Sequence, residues 1–578
     1  MTSIFKQTYA SSLQTLINEV ESGSTIELWT FDDAKTRKAA EAALMGKGVS
    51  AKIRSAYKPL VYAFLEEINL EGIRSIEVHY PVHANAPDNR FRLEAYPLAA
   101  LVGEREISFV PRGDCELFYE VKLSGEGISQ SLRVACPNRV HEDAVGEINL
   151  SPCDYLIKDG ESAEWKSTYE QIFNDVIAAV VGHAWGDTEP YFEELNIRVE
   201  LPAEDEELGF GDEVISLREA LHEDFYFSLL EFFQKKSGRP LGDRGLKPGQ
   251  IVPEIIFKEG DASVEISLAS HTTELVSRDE QGLNDAQQAL SAAQISETLQ
   301  QFGEDAFYAK TRSGREVSAR YVAGSDFAVM ISAGQHANET TGVTGALRAA
   351  VELKTRDGAH FTISPLENPD GYQLHQRLCL DNPRHMHHAA RYTALGDDLE
   401  YRTLASAGIH LNEKAIRYQA QEKSGALLHV NLHGYPSHEW TRPLSGYVPR
   451  GFAMWTIPKG FFLIARYHTG WEAEAESLLD QVTKHLGTID GLLDYNAKQI
   501  ALYERHAGET GFRMINGFPC LVGVDDRHDV PMTLITEYPD ETIYGPAYVA
   551  GHTAQMQTVL SAYDAWQSIM SARGSAAA

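Results

Sequence analysis

His336 and Glu339 stand three residues apart in Gly334-Gln335-His336-Ala337-Asn338-Glu339-Thr340, between an apolar run and a helical pattern. At a loop-to-helix junction that spacing lets one imidazole and one carboxylate point at a common ion. His433 directly follows a second apolar run, Leu427–Leu432. Two histidines and one glutamate form the open ligand set of a catalytic zinc, with water in the fourth position. Glu537 closes a third run, Met532–Thr536, and is placed there to act as general base for that water. His429 shares a strand face with Asn431 and His433, so it competes as a ligand and strand register decides. His438-Glu439 lacks the second histidine of an HExxH helix. His385, His387 and His388 read as a packed loop or as facing a site mouth, ahead of a second ligand set. The chain carries no GxSxG elbow, no Walker loop and no strand-anchored GxGxxG.

The elements that must position these groups are legible in the last 290 or so residues. Four strand-like runs, Phe327–Ala333, His360–Pro365, Leu427–Leu432 and Met532–Thr536, are preceded, separated or followed by helical patterns. The helical segments are Asn284–Phe302, Thr344–Lys354, Glu413–Gln421, Trp471–Leu486, Leu492–His506 and Ala547–Arg573. Alternation of this kind predicts a largely parallel sheet covered by helices, with its site at the carboxyl ends of the strands. Asp370-Gly371 reads as a turn, and the aromatic tract Trp440–Tyr467 reads either as a structured loop over the site mouth or as core.

One order of motifs is familiar. Ser313-Gly314-Arg315-Glu316-Val317, His336-xx-Glu339, Pro365-xx-Asn368-Pro369-Asp370-Gly371-Tyr372, Asn431-Leu432-His433-Gly434 and Thr536-Glu537-Tyr538 follow one another. Over residues 285–573 the set resembles the zinc carboxypeptidase family, carboxypeptidase A-like in fold. The resemblance implies a mixed, mostly parallel sheet between helices, one zinc on His336, Glu339 and His433, and Glu537 as base. Aligned without gaps, Arg391–Tyr401 has the skeleton of the segment that carries the family's oxyanion arginine. The resemblance then implies Arg391 in that role and Asp398 as a partner of a ligand histidine. The family's Asn-Arg clamp for a terminal carboxylate is replaced by Glu400-Tyr401, with Arg377, Arg384 and Arg402 as rival clamps. Glu400, Tyr401 and Arg384 are therefore the candidate substrate-binding residues. An uncompensated Glu400 would favour an amine, guanidinium or amide on the substrate over a free α-carboxylate. The tyrosine the family places before its base has no counterpart in Gly511–Val524, and Tyr503 lies too far upstream.

The first 285 residues say less. Residues 1–105 mix Ala34–Leu44 as helix with Thr25–Trp29 and Ile76–Tyr80 as strands, and 106–285 are strand-rich with helices near Glu164–Ala184 and Leu217–Lys235. In the second helix, His222-Glu223-Asp224 reads as an acidic first turn complementing the helix dipole, ahead of a catalytic group. Three regions follow: 1–105, 106–285 and a catalytic domain over 286–573. With 43% hydrophobic and 10% aromatic residues the chain has ample core, which excludes wholesale disorder. A net charge of −32 disfavours nucleic acid and anionic membranes as partners. The most apolar windows, Asp175–Gly182 and Gly460–Ala465, are far short of the roughly 20 residues a membrane helix needs. The N-terminal stretch lacks a signal-like apolar core, and five scattered cysteines lack CxxC spacing, so a cytoplasmic protein is expected. The expected activity is zinc-dependent hydrolysis of a peptide or small amide. A deacylase or amidase acting on a modified amino acid and a catalytically silent binding protein are the alternatives.

Overall fold

The computed structural model describes residues 2–272, 276, 278–303, 305–402, 412–452, 455–527 and 530–577. The chain divides into two compact units. One comprises Met1–Ser270 with His438–Ile457 and Ala501–Glu509, and the other comprises His271–Ser437, Pro458–Ile500 and Thr510–Ala578.

The second unit is built on one mixed sheet. Its strands are β1 (Ala306–Lys310), β2 (Glu316–Val322), β3 (Val329–Ala333), β4 (Phe361–Ser364), β5 (Leu428–Tyr435), β6 (Phe462–Tyr467), β7 (Arg513–Ile515), β8 (Phe518–Val524) and β9 (Met532–Pro539). They lie in the order β1-β2-β4-β3-β5-β9-β6-β8-β7. The central neighbours β4, β3, β5 and β9 are parallel, and β6 returns antiparallel to β9. Central strands covered on both faces need continuous apolar runs, and β3, Val-Met-Ile-Ser-Ala, is buried throughout. Val329, Ile331, Leu428, Val430 and Leu534 pack with Val343 and Leu347 of the helix Thr340–Lys354 and with Val559 and Trp566 of the helix Pro546–Ala577. The pattern read from sequence thus leads to an observed mixed α/β architecture.

Some limits differ from those read in the sequence. β5 and β9 extend beyond their apolar runs, so His433 and Glu537 lie within strands rather than after them. The reason is mutual: His433 pairs Glu537 and Tyr435 pairs Pro539 in one continuous parallel ladder. The first helix starts at Ala292 rather than Asn284, because the Ser291 side chain accepts from the Gln294 amide and caps it there. Asp370-Gly371 belongs to the helix Pro369–Leu378 and is not a free turn. Asn368 caps that helix and Pro369 opens it.

The first unit contains, among its described residues, three mixed four-stranded sheets and two short hairpins. Strands from both sides of residue 105 share all three sheets. Thr2–Tyr9 pairs Ala262–Ala269, Thr25–Thr30 pairs Tyr155–Lys158, and Ile73–Tyr80 pairs Glu106–Pro111. The helix Leu217–Lys236 is buried almost all round, polar side chains included. His222, Glu223 and Asp224 sit past its first turn, so the dipole account does not apply to them. Asp224 instead accepts from the Leu444 amide at 2.9 Å and from the Ser445 hydroxyl. Much of the Trp440–Tyr467 tract is therefore a piece of the first unit, held on this helix. No helix among the described residues is long and apolar enough to cross a membrane.

Candidate metal centre

His336 and Glu339 lie on the turn between β3 and the helix Thr340–Lys354, with Glu339 at its N-cap position. The turn needs Gly334, whose φ is +64° and whose missing Cβ would meet the Leu366 side chain at 2.9 Å and its Cα at 3.2 Å. The next crossover is knitted to it by amides, Glu367 to Ala333 O at 3.1 Å and Asn368 to Gly334 O at 2.9 Å. Ser313 and Arg315 both hold Asp370 at the start of the following helix, which ties the first familiar motif to the third.

The ligand candidates converge. His336 Nδ1 lies 2.8 Å from Glu339 Oε1, His433 Nδ1 lies 3.1 Å from Glu339 Oε2, and the two Nδ1 atoms are 3.0 Å apart. All three side chains are buried, and their donor atoms fall within 4.8 Å of one another. Two imidazole lone pairs and a carboxylate aimed at one point fit a small divalent cation. The far side of the His336 ring supports that fit, since Nε2 is 3.4 Å from Asp398 Oδ1. A proton held there leaves Nδ1 as the acceptor. Among the described residues this is the one His/Cys/Asp/Glu cluster with such geometry. His429 bonds Ser332 Oγ at 2.7 Å and stays out of it. His387 donates through Nε2 to Asn382 O in its own loop, and His385 and His388 are buried beside it.

Glu339 is also held from behind by Arg391 Nη1 at 2.6 Å and by the Gly434 amide at 3.0 Å. Burial pushes its carboxyl up, but His336, Arg391 and His433 outweigh burial and hold it below the usual range. Asp398 follows the same logic, with His336 and Arg391 overcoming burial. Glu537 goes the other way: burial first, then Glu339, push it well up against the pull of Arg391 and Lys459. Arg391 Nε is buried without a hydrogen-bond partner among the described residues.

None of the expected substrate residues belongs to the ligand cluster itself. Glu400 sits on a 3-10 turn after Asp398, its amide donating to Asp398 Oδ1 at 2.9 Å. Its carboxylate meets Arg417 at 3.4 Å and Lys414 at 3.8 Å. Two cations of this chain thus face Glu400, so it is not the uncompensated carboxylate expected from the sequence. Tyr401 is exposed, and the exposed Arg384 lies over the Tyr544 ring at 6.0 Å. Arg402 is buried against Asp397 and Glu413. Sequence reasoning missed Arg417, which grips Glu367 through Nε at 2.9 Å and also reaches Gln335 beside His336. It missed Lys459 as well, although a lone lysine in the apolar stretch Trp455–Ala465 was a usable signal.

No protein-family model and no curated protein matches the chain. Solved structures that resemble it include a metallo-carboxypeptidase from Pseudomonas aeruginosa in complex with (2-guanidinoethylmercapto)succinic acid, 15% identical over 53% of this chain and 73% of that one, TM-score 0.29. A metallo-carboxypeptidase from Burkholderia cenocepacia is 14% identical over 54% and 73%, TM-score 0.31. The ectoine utilization protein EutE (DoeB) from Ruegeria pomeroyi is 11% identical over 45% and 68%, TM-score 0.25. Superpositions at this level leave the chemistry to be read from the chain's own side chains.

Proposed function

We propose that this protein is a zinc-dependent hydrolase of amide bonds, a carboxypeptidase-like peptidase acting on a peptide or small amide. The observation that carries the reading is the buried convergence of His336 Nδ1, Glu339 and His433 Nδ1, with Glu537 paired to His433 on the neighbouring strand. A zinc ion held by those three residues would polarise a carbonyl and lower the pKa of water to about 7. Glu537 accepts the proton of the attacking water at a carboxylate oxygen and returns it to the leaving nitrogen. Arg391 keeps Nη1 on Glu339 and offers Nε to the oxyanion, a type of contact worth about 3 kcal/mol. Asp398 keeps the proton on the outer nitrogen of His336.

A second reading, a deacylase or amidase, is favoured by one feature. The residues aligned with the family's carboxylate clamp are an ion-paired Glu400 and an exposed Tyr401. Peptides with free and blocked C-termini, compared with acylated amino acids, separate the two. Elemental analysis of protein purified without chelators or added metal tests what they share. One zinc per chain is expected, and His336→Ala should lose both zinc and turnover. Full zinc occupancy in that variant would overturn the ligand set.

A further inference from the structure

The first amides of a helix need acceptors, and the side chain of the N-cap residue usually supplies one. Glu339 is the N-cap residue of the helix Thr340–Lys354, yet its side chain makes no cap hydrogen bond. Both of its oxygens are taken elsewhere. Oε1 faces His336 and Arg391, and Oε2 faces His433 and the Gly434 amide. The amide of Thr341, second residue of the helix, is one that a cap side chain would accept. It donates instead to Asp540 Oδ2 at 2.9 Å, and the Thr341 hydroxyl donates to the same oxygen. The next residue, Glu541, accepts from Asn338 Nδ2 through Oε2 at 2.7 Å. Two consecutive buried acids thus hold the turn before and after Glu339.

Asp540 is brought there by the strands that carry the rest of the site. It directly follows β9, and its amide donates to the oxygen of Tyr435, the last residue of β5, at 2.9 Å. Tyr435 pairs Pro539 in the same ladder that sets His433 opposite Glu537. Gly434 makes room for the approach, since a Cβ there would meet Asp540 Oδ1 at 2.1 Å and its carboxyl carbon at 2.7 Å. We propose that Asp540 is a positioning residue that caps the helix Thr340–Lys354 in place of Glu339, and so keeps the Glu339 carboxyl turned to His336 and His433. That this orientation serves a metal rests on the hydrolase reading above; the orientation itself does not. An ordinary buried hydrogen bond predicts something different: its loss would lower stability and leave Glu339 where it is.

The test uses the full-length protein. In Asp540→Ala, zinc affinity, read by competition with a chromophoric chelator, should fall about 10- to 100-fold, and the visible spectrum of the cobalt-substituted protein should change. Asp540→Asn keeps an acceptor oxygen and should restore both. Wild-type affinity and spectrum in Asp540→Ala overturn the proposal. A second arm needs no metal. In crystals of metal-free Asp540→Ala, Glu339 should leave His433 and accept from the Thr341 amide, and an unmoved Glu339 overturns the proposal. If Asp540→Ala does not fold, Asp540→Asn decides. Zinc held there as in wild type, with the Thr341 amide protected from hydrogen exchange, supports the cap. Zinc held about tenfold or more weakly, with that amide still protected, overturns it. A wild type that binds no zinc counts against the hydrolase reading and leaves the metal-free crystals to decide Asp540.

Discussion

Glu537 is the residue on which the proposed chemistry turns, because burial and a nearby carboxylate both resist its charge. Glu537→Gln keeps its shape but cannot accept a proton. We expect zinc retained and turnover lowered by about 100-fold or more. Near-normal turnover in that variant would assign the base elsewhere. His336, Glu339, His433 and Glu537 were legible because each follows an apolar run that can only be a central strand, and their types suit one ion. Lys459 did have a local signal, its apolar stretch Trp455–Ala465, which went unread. Arg417 was not legible, because its partners Glu367 and Gln335 come from segments far away in sequence and nothing local announces its burial. Register had the same character: that His433 faces Glu537 follows from a ladder that outlasts its hydrophobic run.

At the scale of elements, the helix Leu217–Lys236 shows how a polar core can fasten a distant segment. His438 Nε2 lies 2.8 Å from both oxygens of Glu219, Lys58 pairs Glu439, and Arg450 reaches Glu231 and Asp143. Tyr57 Oη and Thr441 Oγ1 are 2.7 Å apart. Burial pulls the His438 imidazole down, but Glu219 outweighs it and raises the group to about 9. The unfolded value is about 6.5, so this pair stabilises fully below that pH and its contribution fades as pH rises through 9. A shift of that size corresponds to about 3 kcal/mol. His438→Gln should therefore destabilise the protein at pH 6 and matter little at pH 10, measured as urea midpoints across that range. An equal loss at both ends would show that shape, not charge, is what His438 supplies. The helix itself was evident from its sequence, whereas its partner read equally as a loop over the site mouth or as core, since aromatic content cannot say which core it joins.

At the scale of the whole molecule, the segment His438–Ile457 lies in the second half of the sequence but belongs to the first unit. In that unit Trp440 stacks on Phe227 with centroids 5.6 Å apart, and Arg90 lies over the Tyr447 ring at 4.6 Å. Trp440, Leu444 and Tyr447 are buried there. A fragment of residues 271–578 would carry those side chains without Lys58, Arg90, Glu219, Asp224 and Phe227. Each large aromatic then exposes on the order of 150–250 Å² of surface. Asp224 would no longer meet the Leu444 amide, nor Glu219 the His438 ring, so polar groups lose their partners as well. The segment begins five residues after His433 and ends two before Lys459, so its disorder would reach the proposed site from both sides. We expect the fragment alone to bind a hydrophobic dye, melt without a sharp transition and retain little zinc. Co-expressing residues 1–270 should restore a cooperative melt and zinc at one per chain. A fragment that melts sharply and holds full zinc on its own would show that the first unit is dispensable for the site, and that the burial of His438–Ile457 serves the first unit alone.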